Sequence, residues 1–373
     1  MSWITRTFAI IALLHSLASC GRAPKNKAQN TLELAEVKLK YAKEFKIQKD
    51  SSLTRLTINT SSKDRSQKES FNLVSTYGAT THLENCIKVP CKKIICLSST
   101  QLAYFFALDN IENISAINNS RFLYHEEMRT KVETGEVKQI GKEGNFNLEV
   151  IAAINPDVIF VSPFKRGGFD ALRNLGIPLV PMAAYNEKTP LGRAEWIKMI
   201  ALFCNNEHKA DSLFNAIDSK YTHLKELTSN IKKRPTVFSG KMRSGSWYVP
   251  GGKSFYSHYF KDAGADYIIK DNHQGAYPVD FETMYKKASE CDFWRIVHPE
   301  KKGLTLKDLA EQDSRYQDFK AFTNKNVLLC NIRQKPYYEQ AAVKPDVILA
   351  DYIHFFHPEL LPEHTPCFYE KIE

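Results

Sequence analysis

The residue with the plainest chemistry is a cysteine near the N-terminus. Leu17-Ala18-Ser19-Cys20 closes an apolar run, Thr7 to Ala18, with Arg6 on its flank. Such a run, about a dozen residues, is too short to cross a bilayer, which takes about 20. The combination predicts an export signal over 1–19, cleaved so that the Cys20 thiol takes a diacylglycerol, and about two or three acyl chains then anchor the new N-terminus stably. The other cysteines point to less. Cys86, Cys91 and Cys96 stand at C-x4-C-x4-C, which is not zinc-ligand spacing, and with Cys204, Cys291, Cys330 and Cys367 they leave an odd set, so no bridge is assigned. Cys96, Cys204 and Cys330 lie in apolar stretches and read as small buried hydrophobes. A zinc or manganese receptor needs several histidines and a carboxylate converging on one point. Here His82, His125, His258, His273, His298, His354, His357 and His364 are scattered. There is no H-E-x-x-H, G-x-S-x-G or Walker loop, so the reading is a protein that is not an enzyme and carries no intrinsic cofactor or metal. A metal-ion receptor and an exported lipoprotein enzyme stand as alternatives.

The 373 residues suffice for two domains, and the composition is that of a globular protein. The net charge is +9, but the lysines are spread along the chain and no basic block carries interleaved aromatics. That excludes nucleic acid as the partner and remains compatible with an anionic ligand or surface.

The elements that must position any site follow from periodicity. Gly21 to Asn30 is polar and basic and reads as a tether. Residues 31–92 alternate weakly (Leu53, Leu56, Ile58; Phe71, Leu73, Val74), which predicts an accessory segment with short strands. From Lys93 the signal strengthens. Ile94 to Leu97 reads as a strand, and Ser98-Ser99-Thr100-Gln101 caps a helix through Leu108. Asn147 opens a helix ended by Pro156-Asp157, Val158 to Val161 is the next strand, and Phe169 to Leu175 is a helix before a strand at Leu179-Val180. A helical stretch from Arg193 to Lys232, broken near Asn205-Asn206, presents Ala210, Leu213, Phe214, Ile217, Tyr221, Leu224, Leu227 and Ile231 as one stripe. Strands at Thr236–Phe238, Trp247–Val249, Phe293–Val297 and Val327–Cys330 then alternate with helices at 254–263, 281–288 and 347–356. This alternation predicts two α/β halves with parallel sheets joined by one long helix. The expected organisation is signal peptide 1–19, lipid-anchored tether 20–30, accessory segment 31–92, N-terminal lobe 93–190, linking helix 191–233 and C-terminal lobe 234–373.

In order and spacing, Lys93 to Thr100 (KIICLSST), Ile140-Gly141, Asn147 to Ile159 (NLEVIAAINPDVI), Leu175 to Pro178 (LGIP), Trp247 to Ser254 (WYVPGGKS), Asp262 to Tyr267 (DAGADY) and His357 to Leu360 (HPEL) are matched by one family. The chain resembles the periplasmic substrate-binding proteins of ABC importers for iron-siderophore, haem and cobalamin ligands, in the branch found in Bacteroidetes-type bacterial lipoproteins. The resemblance runs from about 93 to 364.

The resemblance implies a class III fold, two Rossmann-like lobes joined by a single backbone helix, with an iron chelate or cobalamin held between them. It implies a monomer, anchored in the cell envelope, that delivers its ligand to an ABC permease dimer and its ATPase subunits. The loops expected to touch the ligand carry Ser98, Ser99 and Thr100; Arg121, Phe122 and Tyr124; Phe164, Lys165 and Arg166; and Arg243, Trp247, Tyr248 and Gly252, beside Gly251. Aromatic faces can stack on a flat macrocycle or catecholate, and arginine forks can hold carboxylate or phosphate. Transporter docking falls to Glu149 and Glu282, each in the first turn of a helix, where a carboxylate also favours the helix dipole. Many relatives have Thr-Glu where this chain has Thr100-Gln101, so a bare cation is a poor fit for the cleft.

Overall fold

The computed structural model describes residues 34–60, 67–75, 83–142, 144–163, 169–300 and 302–373. Cys20, the expected signal and tether, His82, and the loop residues Phe164, Lys165 and Arg166 lie outside the described residues. Before Lys93 the chain folds into a five-stranded sheet in sequence order: β1 (Ala35–Val37), β2 (Phe45–Lys49), β3 (Leu53–Asn59), β4 (Lys68–Val74) and β5 (Cys86–Lys88). The first four strands are antiparallel, and β5 runs parallel to β4. Phe45 and Ile47, Leu56 and Ile58, and Phe71 and Leu73 are buried at a spacing of two, so one face of the sheet packs on the core that follows.

That core belongs to the first lobe. Its elements are β6 (Ile94–Cys96), α1 (Ser99–Ala107), β7 (Ile114–Ile117), α2 (Glu126–Glu133), β8 (Lys138–Gln139), the hairpin strands β9 (Gly141–Lys142) and β10 (Asn145–Phe146), α3 (Leu148–Ile154), β11 (Val158–Val161), α4 (Asp170–Arg173) and β12 (Leu179–Pro181). The sheet is parallel in the order β12-β11-β6-β7-β8. Ile94, Cys96, Val158 and Phe160 enter one apolar cluster while Ile95, Leu97, Ile159 and Val161 enter another. Both faces are covered, which explains why these strands read as unbroken apolar runs. The chain order reverses between β6 and β11, and their C-terminal ends flank a crevice there.

The predicted helix over 193–232 is divided into α5 (Pro190–Ala194), α6 (Ile197–Cys204) and α7 (Glu207–Leu227). The break at Asn205-Asn206 has its cause in Asn205, which turns left-handed at φ 53° to end α6. α7, about 30 Å long at 1.5 Å per residue, places Ala210 and Phe214 in the first core and Tyr221 in the second, with Ile217 against both.

The second lobe contains β13 (Thr236–Ser239), β14 (Met242–Arg243), β15 (Ser246–Pro250), α8 (Phe255–Asp262), β16 (Asp266–Tyr267), β17 (Ala276–Val279), α9 (Phe281–Ala288), β18 (Phe293–His298), α10 (Leu306–Gln312), α11 (Lys320–Thr323), β19 (Val327–Asn331), α12 (Tyr337–Gln340), α13 (Pro345–Phe356) and β20 (Glu370–Lys371). Its main sheet runs β16-β13-β18-β19-β20, parallel except for β20, and β14-β15-β17 form a small antiparallel sheet. The α/β reading and the two parallel sheets are as the alternation predicts.

Candidate ligand cleft

The crevice is built first by a helix cap. Ser98 is the N-cap of α1, and its Oγ accepts from the Gln101 amide at 3.3 Å. Gln101 reciprocates: its Oε1 accepts from the amides of Leu97 at 2.7 Å and Ser98 at 3.1 Å, which completes a capping box. The Gln101 side chain is buried and reaches Ser162 at 3.4 Å, so it serves the loop and not a cation.

Around this turn lies a cavity of about 530 Å³. Ser98, Ser99 and Thr100 border it after β6; Asn118, Asn119, Arg121 and Phe122 after β7; Lys142 from β9; Ser162 after β11; and Met182, Ala184 and Tyr185 after β12. Arg193 of α5 and Tyr338 of α12 close it from the linker and the second lobe. Among the described residues the lining holds three cations, Arg121, Lys142 and Arg193, and no carboxylate. Arg193 sits over the Phe255 ring at 4.9 Å, and its buried Nε has no hydrogen-bond partner among the described residues. Arg121 lies 5.1 Å from the Phe122 ring, which meets Tyr338 edge-on across the lobes at 5.4 Å. Behind them Arg295 is buried, held by the Tyr369 hydroxyl at 3.0 and 2.8 Å and by the Tyr256 ring at 4.2 Å. Among the described residues neither Arg193 nor Arg295 has a carboxylate in ion-pairing range. A buried guanidinium without a counter-charge favours an incoming anion.

The predicted site residues divide. Ser98, Ser99, Thr100 and Arg121 come together in the cleft. Tyr124 lies beside it, its hydroxyl donating to the Ile332 carbonyl at 2.8 Å across the lobes. Trp247 is a correction: it is fully buried among Phe238, Phe281, Trp294 and Phe319, and its Nε1 donates to the Ser239 carbonyl at 3.0 Å. Arg243 and Tyr248 are exposed on the small sheet of the second lobe and do not border the cleft. Gly252 also departs from expectation. A Cβ there would stand 2.5 Å from the Asp271 carbonyl oxygen, so the glycine makes room for the chain's own turn and not for a ligand. A wider groove of about 990 Å³ lies between β4–β5 and the α4–β12 region, away from the lobe junction.

Residues 94–334 match the family model described as periplasmic binding protein. This chain belongs to that family. The binding protein is 30% identical to an uncharacterised lipoprotein of Methanocaldococcus jannaschii over 76% of its own length and 70% of the relative's. Its fold is that of class III binding proteins. A periplasmic binding protein from Veillonella parvula superposes with a TM-score of 0.61, at 11% identity, over 81% of this chain and 98% of that one. A periplasmic haem-binding protein from Pseudomonas aeruginosa superposes with a TM-score of 0.59, at 14% identity, over 76% and 98%.

In the binding protein, Glu149 and Glu282 are both exposed in the first turns of α3 and α9. Among the described residues no group of three or more His, Cys, Asp or Glu side chains is placed to hold a metal ion, and no helix is long and apolar enough to cross a membrane. His354, His357 and His364 are engaged structurally, with the Leu361 carbonyl, the Gly264 carbonyl and the Asp351 carboxylate. Lys142, Arg193 and Tyr338 also border the cleft, beyond the residues expected there. Lys142 follows the Ile140-Gly141 motif and Tyr338 follows strand β19, so the rule that loops after strands carry the site could have reached both. Arg193 had no such signal, since it read as the first turn of the linker.

Proposed function

We propose that this chain is the substrate-binding component of an ABC importer and that it captures an anionic metal chelate, of the ferric siderophore or haem kind, in the cleft between its lobes. The observation that carries this reading is the lining of the cleft: among the described residues, Arg121, Lys142 and Arg193 without a carboxylate, and Phe122 and Tyr338 as aromatic walls. A flat or catecholate-bearing anion meets both requirements, stacking on rings and satisfying guanidinium donors. The likeness to a haem-binding protein supports the same class of ligand. In this reading Cys20 carries the lipid, the chain works as a monomer, and Glu149 and Glu282 dock on the permease, whose ATPase drives release.

The test is calorimetric titration with haem, a ferric tris-catecholate, a ferric hydroxamate and cobalamin. Binding of an anionic chelate is expected, weakened at least about tenfold in Arg193→Gln and by added salt. Cobalamin as the sole ligand, or binding indifferent to both Arg193 and salt, would overturn the anion reading. Charge reversal at Glu149 and Glu282 should leave the same titration unchanged while abolishing uptake by the assembled importer; retained uptake removes their docking role.

A further inference from the structure

The loop after β7 reaches across to the second lobe, and the contact is made by a carboxylate. Glu339 of α12 accepts from the Tyr124 amide at 2.7 Å and the His125 amide at 3.1 Å. His125 is the N-cap of α2, and its amide has no helical partner; Tyr124 is the residue before it. Glu339 is only 3% exposed, and among the described residues no cation pairs with it. The rest of the contact is of the same cross-lobe kind: the Tyr124 hydroxyl on the Ile332 carbonyl, Arg333 Nη1 on the Arg121 carbonyl at 3.2 Å, and Phe122 against Tyr338. Beside it is a crevice of about 350 Å³ bordered by Phe106, His125, Glu339 and Lys344, where the His125 ring lies 4.4 Å from Phe106 and its buried Nδ1 has no partner among the described residues.

A buried carboxylate answered only by two amides gains two charge-assisted hydrogen bonds and loses its hydration, so the balance between made and broken is narrow. That suits a contact that must open and close. We propose that Glu339 is a cross-lobe latch and a positioning residue, which fixes the segment 121–125 and thereby presents Arg121 and Phe122 to the cleft. The proposal rests on the ligand reading above only in its second half; the latch itself rests on hydrogen bonds within the chain. Groups facing it are His125 and Tyr124 on the loop, and Arg333 and Lys344 on the second lobe.

Two measurements on the full chain separate the halves. Without any ligand, the Tyr124 and His125 amides should exchange with deuterium slowly, and at least about tenfold faster in Glu339→Ala. Glu339→Gln, which keeps one carbonyl oxygen, should retain part of the protection and lose less of the thermal midpoint than Glu339→Ala, which leaves both amides without an acceptor. With haem or the ferric tris-catecholate as the probe, Glu339→Ala and Arg121→Gln should each weaken binding several-fold. The double variant should be little weaker than Arg121→Gln alone, because the latch acts through Arg121. Unchanged exchange in Glu339→Ala overturns the latch. Faster exchange with fully additive losses in the cycle overturns the positioning role. If neither probe binds the parent chain, the function reading fails while the exchange result still decides the latch.

Discussion

Trp247 and Tyr248 are neighbours in β15 with opposite fates, because successive side chains of a strand face opposite ways. Trp247 is fully buried and Tyr248 is 44% exposed. The strand period makes it plain that one of the two is core and one is not, but not which, since that depends on the side from which the second lobe covers the small sheet. Gly240 shows the same dependence. At φ 98° a Cβ on it would stand 2.0 Å from the Tyr248 carbonyl oxygen and 2.9 Å from Trp247 Nε1, so its place is fixed by residues the local sequence does not identify. Trp247→Phe removes the donor to the Ser239 carbonyl and leaves a small void, for an expected loss of about 1–3 kcal/mol of stability. Urea denaturation measures it, and affinity for any cleft ligand should be unchanged under native conditions. A loss of affinity at unchanged stability would return Trp247 to the site.

At the scale of elements, the strands and helices after Lys93 were legible because apolar runs bounded by Ser, Asn, Pro and Gly leave little choice of type. The attachment of the accessory sheet was not legible, because it depends on partners more than a hundred residues apart. Glu195, fully buried, accepts from the amides of Lys40 at 2.9 Å, Tyr41 at 2.7 Å and Ala42 at 2.9 Å. Glu187 accepts from those of Lys43 and Glu44, and from Trp196 Nε1 at 3.0 Å. Two carboxylates flanking α5 thus hold the turn between β1 and β2 against the linker that joins the lobes. No pattern of hydropathy marks a glutamate for that task. In Glu195→Ala the three amides lose their acceptor inside the protein, at a cost of about 1–3 kcal/mol for each one left unsatisfied. The expected result is a total loss of at least about 3 kcal/mol by chemical denaturation, with faster proteolytic cleavage between Leu34 and Asn59. Glu195→Gln, with one carbonyl oxygen left, should fall between. Stability and cleavage both unchanged would mean that the accessory sheet is not fastened through Glu195.

For the whole molecule, the cleft draws residues from position 98 to position 338, and the sequence rule that served it, loops after parallel strands, reaches only the part each lobe contributes by itself. Arg193, Tyr338 and Glu339 matter because the lobes meet, and that meeting has a signature in pH. Burial pushes the Glu339 carboxyl up to about 7, against the pull of the Tyr124 and His125 amides. A carboxyl raised on folding takes up a proton, so its contribution to stability is fully present below its unfolded value near 4.5 and is lost as pH rises through about 7. Burial also lowers His258 and His298 below their ordinary value of 6.5. Histidines held neutral act in the opposite sense, contributing above about 6.5 and losing that contribution as pH falls. Between about pH 5 and 7 the two trends therefore oppose each other. Glu339→Gln removes the acid-favouring half. Its stability should fall further below that of the parent chain as the solution is acidified from pH 7 to 5, and the gap should stop changing above pH 7. Urea midpoints for both chains across that range measure it. A gap independent of pH would mean that Glu339 titrates as an exposed carboxyl, hence that the lobes stand apart in solution and the cleft is closed by its ligand instead of by the latch.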